Sequence, residues 1–158
     1  MSRVTHTTIS LPPSRASQLR SIAHAHDCSI TDAIELLIRR EIKAGRLNDE
    51  LPGFAAHTGH GNVCLEIGRI GLPPLSPANA RVVADFFEAT ADTDAGEPWR
   101  KKVELNSGDM HTLSLTRRGA GIAGRVFCDE MEIEQKFSMT RGMARDFARL
   151  IRRAANAA

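Results

Sequence analysis

Near the start of the chain His6, Thr8 and Ser10 alternate with Thr7, Ile9 and Leu11. β-Branched residues are dense over Thr5–Leu11, so the alternation predicts a strand with one polar and one apolar face. An imidazole and two hydroxyls at two-residue spacing offer a row of hydrogen-bond donors and acceptors. Ser29-Ile30-Thr31 opens a helical pattern, where a hydroxyl cap and free amides suit an anion. His57, His60 and Cys64 supply imidazole and thiolate within eight residues, the ligand types of Zn, Ni or Cu. Arg141, Arg145, Arg149 and Arg152 recur at helical spacing and share one face. No nucleophile elbow, phosphate loop or HExxH spacing occurs, so no enzymatic activity is expected.

The elements that would position the first of these groups are short. Pro12-Pro13-Ser14 ends the strand and opens a helix carrying Ala16, Leu19, Ile22 and Ala23. Ser29 precedes a second helix with Ala33, Ile34, Leu37, Ile38 and Ile42 on one stripe, stopped by Gly45. One strand and two helices cannot cover their own apolar faces, and a lone strand leaves its backbone edge open. A second copy solves both problems: the strands pair antiparallel and four helices share one core. Ile9, Leu11, Leu19, Ile22, Ile34, Leu37 and Ile38 form that dimer core. His6, Thr8 and Ser10 of both chains then line one face of a two-stranded ribbon, which fits the major groove of B-DNA.

The run TTISLP followed by LRSIAHAHDCSITDAIELLIRREIKAG resembles the ribbon-helix-helix superfamily of the Arc, MetJ and CopG type. The resemblance covers residues 3–46. It implies an intertwined dimer in which His6, Thr8 and Ser10 contact bases. It also implies that Ser29, with the amides of Ile30 and Thr31, clamps a phosphate. Arg3, Arg40 and Lys43 are further candidate phosphate contacts. The reading face departs from the family pattern, because it carries no Arg or Lys to recognise guanine. The His57–Cys64 run is loosely similar to the His/Cys-Leu-Glu segment of nickel-responsive repressors in this superfamily, at different spacing.

Charge distribution agrees with a basic head on a neutral body. Residues 1–46 hold seven Arg/Lys against four acids, and the remainder holds fourteen against fifteen. Apolar content of 42% with 25% charged residues is globular composition, and 158 residues leave room for a second domain. No apolar run approaches the length of a membrane span, nor does the start resemble a signal peptide. A cytoplasmic location without membrane association is therefore expected. Cys28, Cys64 and Cys128 are odd in number and far apart, which argues for buried thiols rather than disulfides.

Pro-Gly and Gly-rich clusters over 47–62 predict a linker. Beyond it, residues 63–158 predict a regulatory or partner-binding domain. Strand-like runs occupy Val63–Ile70, Arg100–Asn106, Met110–Arg117, Gly121–Phe127 and Met131–Ser138. Helices follow Ser76 and Thr140, and their sequences align at an offset of 64 residues, as in a duplication or two similarly packed helices. The fold class expected is α+β: a ribbon-helix-helix unit, then one antiparallel sheet of four or five strands with two helices on one face. The arginine stripe is expected to be a solvated face beside the acidic Glu130–Glu134 strand.

The expected function is a dimeric, sequence-specific DNA-binding transcriptional regulator, a repressor plausibly of its own operon. Its partners would be double-stranded DNA and itself, including dimers of dimers on DNA, and no cofactor is implied. Two alternatives belong to other classes. One is an antitoxin-like protein whose C-terminal domain binds a partner protein. The other is a metal- or ligand-responsive regulator that uses His57, His60 and Cys64.

Overall fold

The computed structural model describes residues 9–93, 100–106, 110–119, 121–128 and 132–158. They fall into two compact units, and the chain passes from one to the other between Glu50 and Leu51. The first contains helices α1 (Pro13–Ala25) and α2 (Ile30–Lys43), which pack on each other. Proline at the first position starts α1, and Ser29 caps α2. Gly45, at φ 70, ends α2: its amide donates to Ile42 O and that of Arg46 to Glu41 O, a Schellman arrangement. Most of the expected strand, with Arg3, His6 and Thr8, lies outside the described residues. Ile9, Ser10 and Leu11 belong to no helix or strand.

The second unit contains β1 (Phe54–Gly59), β2 (Asn62–Ile67), β3 (Ile70–Gly71), α3 (Pro77–Asp92), β4 (Arg100–Asn106), β5 (Met110–Arg118), β6 (Gly121–Cys128), β7 (Ile133–Thr140) and α4 (Arg141–Ala157). The class is α+β, as expected, but the strands form two antiparallel sheets, β1-β2-β3 and β4-β5-β6-β7. The expected linker over 47–62 holds β1. Its sequence, Phe-Ala-Ala-His-Thr-Gly, is poor in β-branched residues, yet it pairs with β2 along its whole length. The two-residue turn His60-Gly61 has positive φ at both positions (51 and 76), the handedness that joins twisted strands tightly. Phe54 is also anchored by aromatic contact with Phe137 on β7 and Phe147 on α4, at ring-centroid distances of 5.7 and 5.3 Å.

The core of this unit joins β2, β5 and β6 to both helices. Leu65, Ile67, Leu113, Val126, Phe87 and Phe147 are fully buried in it. The order strand-strand-strand-helix occurs twice, as β1-β2-β3-α3 and as β5-β6-β7-α4. Both helices are capped alike: Ser76 Oγ accepts from Asn79 N and Thr140 Oγ1 from Met143 N, at 3.2 and 3.1 Å.

Candidate nucleic-acid interface

Asp27, in the left-handed region at φ 47, turns the chain sharply between α1 and α2 and sets Ser29 at the helix start. There Ser29 forms a capping box with Asp32. Ser29 Oγ accepts from Asp32 N at 3.1 Å, while Asp32 Oδ2 accepts from Ser29 N and Oγ at 3.2 and 2.7 Å. The Ser29 hydroxyl is thus engaged within the helix start, and the amides of Ile30 and Thr31 are the remaining donors for an anion. An open depression of about 680 Å³ lies beside them, lined by Arg20 and His24 of α1 and the acidic Asp27 together with Ser29 and Ile30. Arg20 and His24 are one turn apart, and this four-residue spacing was the sequence signal for them. Neither stands among the sequence-derived site residues.

Arg40 and Lys43 are exposed near the end of α2 and line an open groove of about 470 Å³ with Leu37 and Arg46. Arg46 Nε and Nη2 grip Glu41 at 2.6 and 2.9 Å. Those hydrogen bonds, helped by the nearby charge of Arg40, hold the Glu41 carboxyl below its ordinary value.

The apolar residues assigned to a dimer core divide into two groups. Leu19, Ile22 and Leu37 are half-buried, whereas Ile9, Leu11, Ile34 and Ile38 are exposed, Ile9 at 79% and Ile38 at 44%. Among the described residues of this unit only Ala23 and Ala33 are fully buried. Ser10 is exposed. The other two base-contacting candidates, His6 and Thr8, and the phosphate candidate Arg3 lie outside the described residues.

Elsewhere the chemistry-bearing groups are arranged for structure. His57 stands opposite Cys64 across the β1–β2 ladder, and His60 sits in the turn. Among the described residues no three His, Cys, Asp or Glu side chains gather as a metal-ligand group. Cys128 is buried, but Cys28 and Cys64 are only half-buried, contrary to the expectation for all three thiols. The arginine stripe is no solvated face beside an acidic strand. Arg145 binds Asp92, Arg152 binds Asp85 and Glu88, and Arg141 Nε donates to Ala91 O at 2.6 Å. All four acceptors lie on α3, so these three arginines tie α4 to α3, while Arg149 pairs with Asp146 on its own helix. Its sequence spacing was legible, but its acidic partners, some fifty or more residues distant, were not.

Among the described residues no helix is long and apolar enough to cross a membrane. Comparison with protein-family models, curated proteins and solved structures found no match to this chain.

Proposed function

We propose that the chain is a dimeric, sequence-specific DNA-binding regulator that lays a two-stranded ribbon in the major groove and represses by covering a promoter. The observation that carries this reading is the uncovered apolar surface of the first unit, with Ile9, Leu11, Ile34 and Ile38 exposed and only two alanines fully buried among its described residues. A unit this small does not hold its fold on two buried methyl groups. Each Ile or Leu contributes roughly 1.5–3 kcal/mol when fully buried, and a second copy doubles the set. The alternating strand sequence gives that second copy a backbone ladder to join.

In the dimer His6, Thr8 and Ser10 read base edges from both chains. Arg3, Arg40 and Lys43 hold phosphates, and so does the α2 start, where Arg20 and His24 join the amides of Ile30 and Thr31. These contacts set register and non-specific affinity, while the ribbon discriminates sequence. Selection from a pool of random duplexes tests the reading. The expected product is a motif of two half-sites related by a two-fold axis, matching the dimer. A selected pool indistinguishable from its input would remove the proposal.

A further inference from the structure

The β4–β7 sheet turns one face to the core, where Leu113, Leu115, Ile122, Val126 and Met139 are buried. Strand alternation sends the intervening residues to the opposite face, and ladder register sorts them into rows. Lys102, Ser114, Arg125 and Lys136 stand in one row across all four strands. The adjacent row is Arg100, Thr116, Ala123 and Ser138, with Arg118 beyond it at the end of β5. The acidic positions Glu104 and Glu134 fall in the row on the other side, with Thr112 and Phe127. Five basic positions therefore fall in and beside these two rows, with Glu134 at their border.

Between the described cations lies a shallow groove of about 340 Å³, whose lining includes Ser114, Thr116, Arg118, Arg125, Lys136 and Phe137. Ser114 at its floor is buried and Thr116 and Ala123 are half-buried, while longer cationic side chains surround them. Arg118 is exposed and makes no ion pair among the described residues. Glu134 accepts from Arg125 at 3.0 Å and from Lys136 at 2.9 Å, yet those side chains remain 43% and 72% exposed. Such exposed pairs are weak, so phosphate oxygens can compete for both cations.

We propose that this outer sheet face is a second nucleic-acid contact, holding the phosphodiester backbone of duplex DNA through Arg118, Arg125 and Lys136. Naming duplex DNA as the occupant rests on the reading of the chain as a DNA-binding regulator. The chemistry of the face supports that choice over an acidic protein. It offers cations and hydroxyls across about 14 Å, three strand spacings. Its large apolar residues are Phe127 and Phe137, both half-buried and Phe137 packed on Phe54, whereas a protein partner needs a desolvated apolar centre. Contacts of this kind add affinity without sequence preference, and each neutralised phosphate steepens the salt dependence by about 0.9 in the logarithmic slope.

The test is a titration of the full chain with its selected operator duplex, with a random duplex and with polyglutamate, at several salt concentrations. In the triple variant Arg118→Gln, Arg125→Gln, Lys136→Gln, affinity for both duplexes falls about ten-fold or more and the slope becomes shallower by roughly 2–3. Glu134→Gln works in the opposite direction and tightens both duplexes, because it frees two cations. Unchanged affinity and slope in both variants, each folded by circular dichroism, overturn this inference, and a surviving operator preference leaves the regulator reading intact. Sheet-dependent binding without operator preference does the reverse. Polyglutamate bound as tightly as DNA assigns the face to acidic proteins and overturns the proposal. Failure of the natural chain to bind either duplex at low salt removes both readings.

Discussion

Arg145 on α4 donates from Nε and Nη2 to one carboxylate oxygen of Asp92 on α3, at 3.0 and 2.7 Å. At the other end of the helix pair Arg81 Nη2 donates to Asn156 Oδ1 and to Ala155 O, both at 3.1 Å. Arg81 and Arg145 are 64 residues apart, and so are Asp92 and Asn156. The two contacts are therefore equivalent under exchange of the helices, which run antiparallel with Ala80, Ala84, Ala144 and Ala148 all fully buried. Each helix also follows three consecutive antiparallel strands, so the two aligned helix sequences occupy the same place in the order of elements.

The ends of this helix pair should contribute independently to stability. Arg81→Ala and Arg145→Ala each remove an exposed contact worth about 0.2–1 kcal/mol. The two arginines mark opposite ends, separated by about 16 Å of helix, so their effects should add. Urea unfolding of the two single variants and the double variant measures this. A coupling larger than either single effect would contradict independent ends.

Gly124 faces the Phe137 ring directly across the β6–β7 ladder, and a Cβ there would lie 2.0 Å from a ring carbon. The ring cannot swing away freely, because it packs at a steep angle on Phe54. Gly124→Ala should destabilise the second unit by about 1–3 kcal/mol. Adding Phe137→Leu should recover part of that loss, since a smaller side chain vacates the space. No rescue in the double variant would show that the ring is not the obstacle.

Ile34→Asp or Ile38→Asp should convert the chain to a monomer and unfold the first unit, leaving the second folded. At the proposed dimer core an introduced carboxylate would resist burial. Sedimentation gives the mass, and circular dichroism gives the helix content. A full-length dimer in both variants would place the association elsewhere.

Base and phosphate contacts should separate by specificity. Thr8→Ala should weaken binding to the operator by about 1–3 kcal/mol and leave random duplex unaffected. Arg20→Ala should weaken both equally, because a phosphate contact carries no sequence information. Equal losses on both duplexes for Thr8→Ala would remove it from the reading face.

Hydrogen bonds from Lys136, then Arg125, hold the Glu134 carboxyl below its ordinary value. A carboxylate depressed in the folded state stabilises it above the unfolded carboxylate range, and this contribution disappears as pH falls through the folded value. A carboxyl NMR titration should therefore place the Glu134 midpoint below 4.5, the ordinary value. Lys136→Gln with Arg125→Gln should raise it. An unmoved midpoint in that variant would contradict the attribution.

Local signals made much of the second unit legible from sequence. Ser76-Pro77 and Thr140 mark helix starts because capping is a matter of a few adjacent residues. The strands β4 to β7 alternate over seven to nine residues and were readable in the same way. β1 was not, since its stability comes from pairing with β2 and from Phe54 packing on distant rings, neither visible in Phe-Ala-Ala-His-Thr-Gly. β3, only two residues long, carries no period at all. In the candidate interface, the capping role of Ser29 was legible, but the claim of Asp32 on its hydroxyl was not. The rows on the outer sheet face depend on register between four strands, which strand parity alone does not give.

The most direct measurement is a fluorescence-anisotropy titration of the full chain against its own upstream DNA and a scrambled duplex, at two salt concentrations. The expected result is tighter binding to the upstream duplex, with affinity for both falling steeply as salt rises. Equal binding to the two duplexes, or none to either at low salt, would contradict a sequence-reading ribbon.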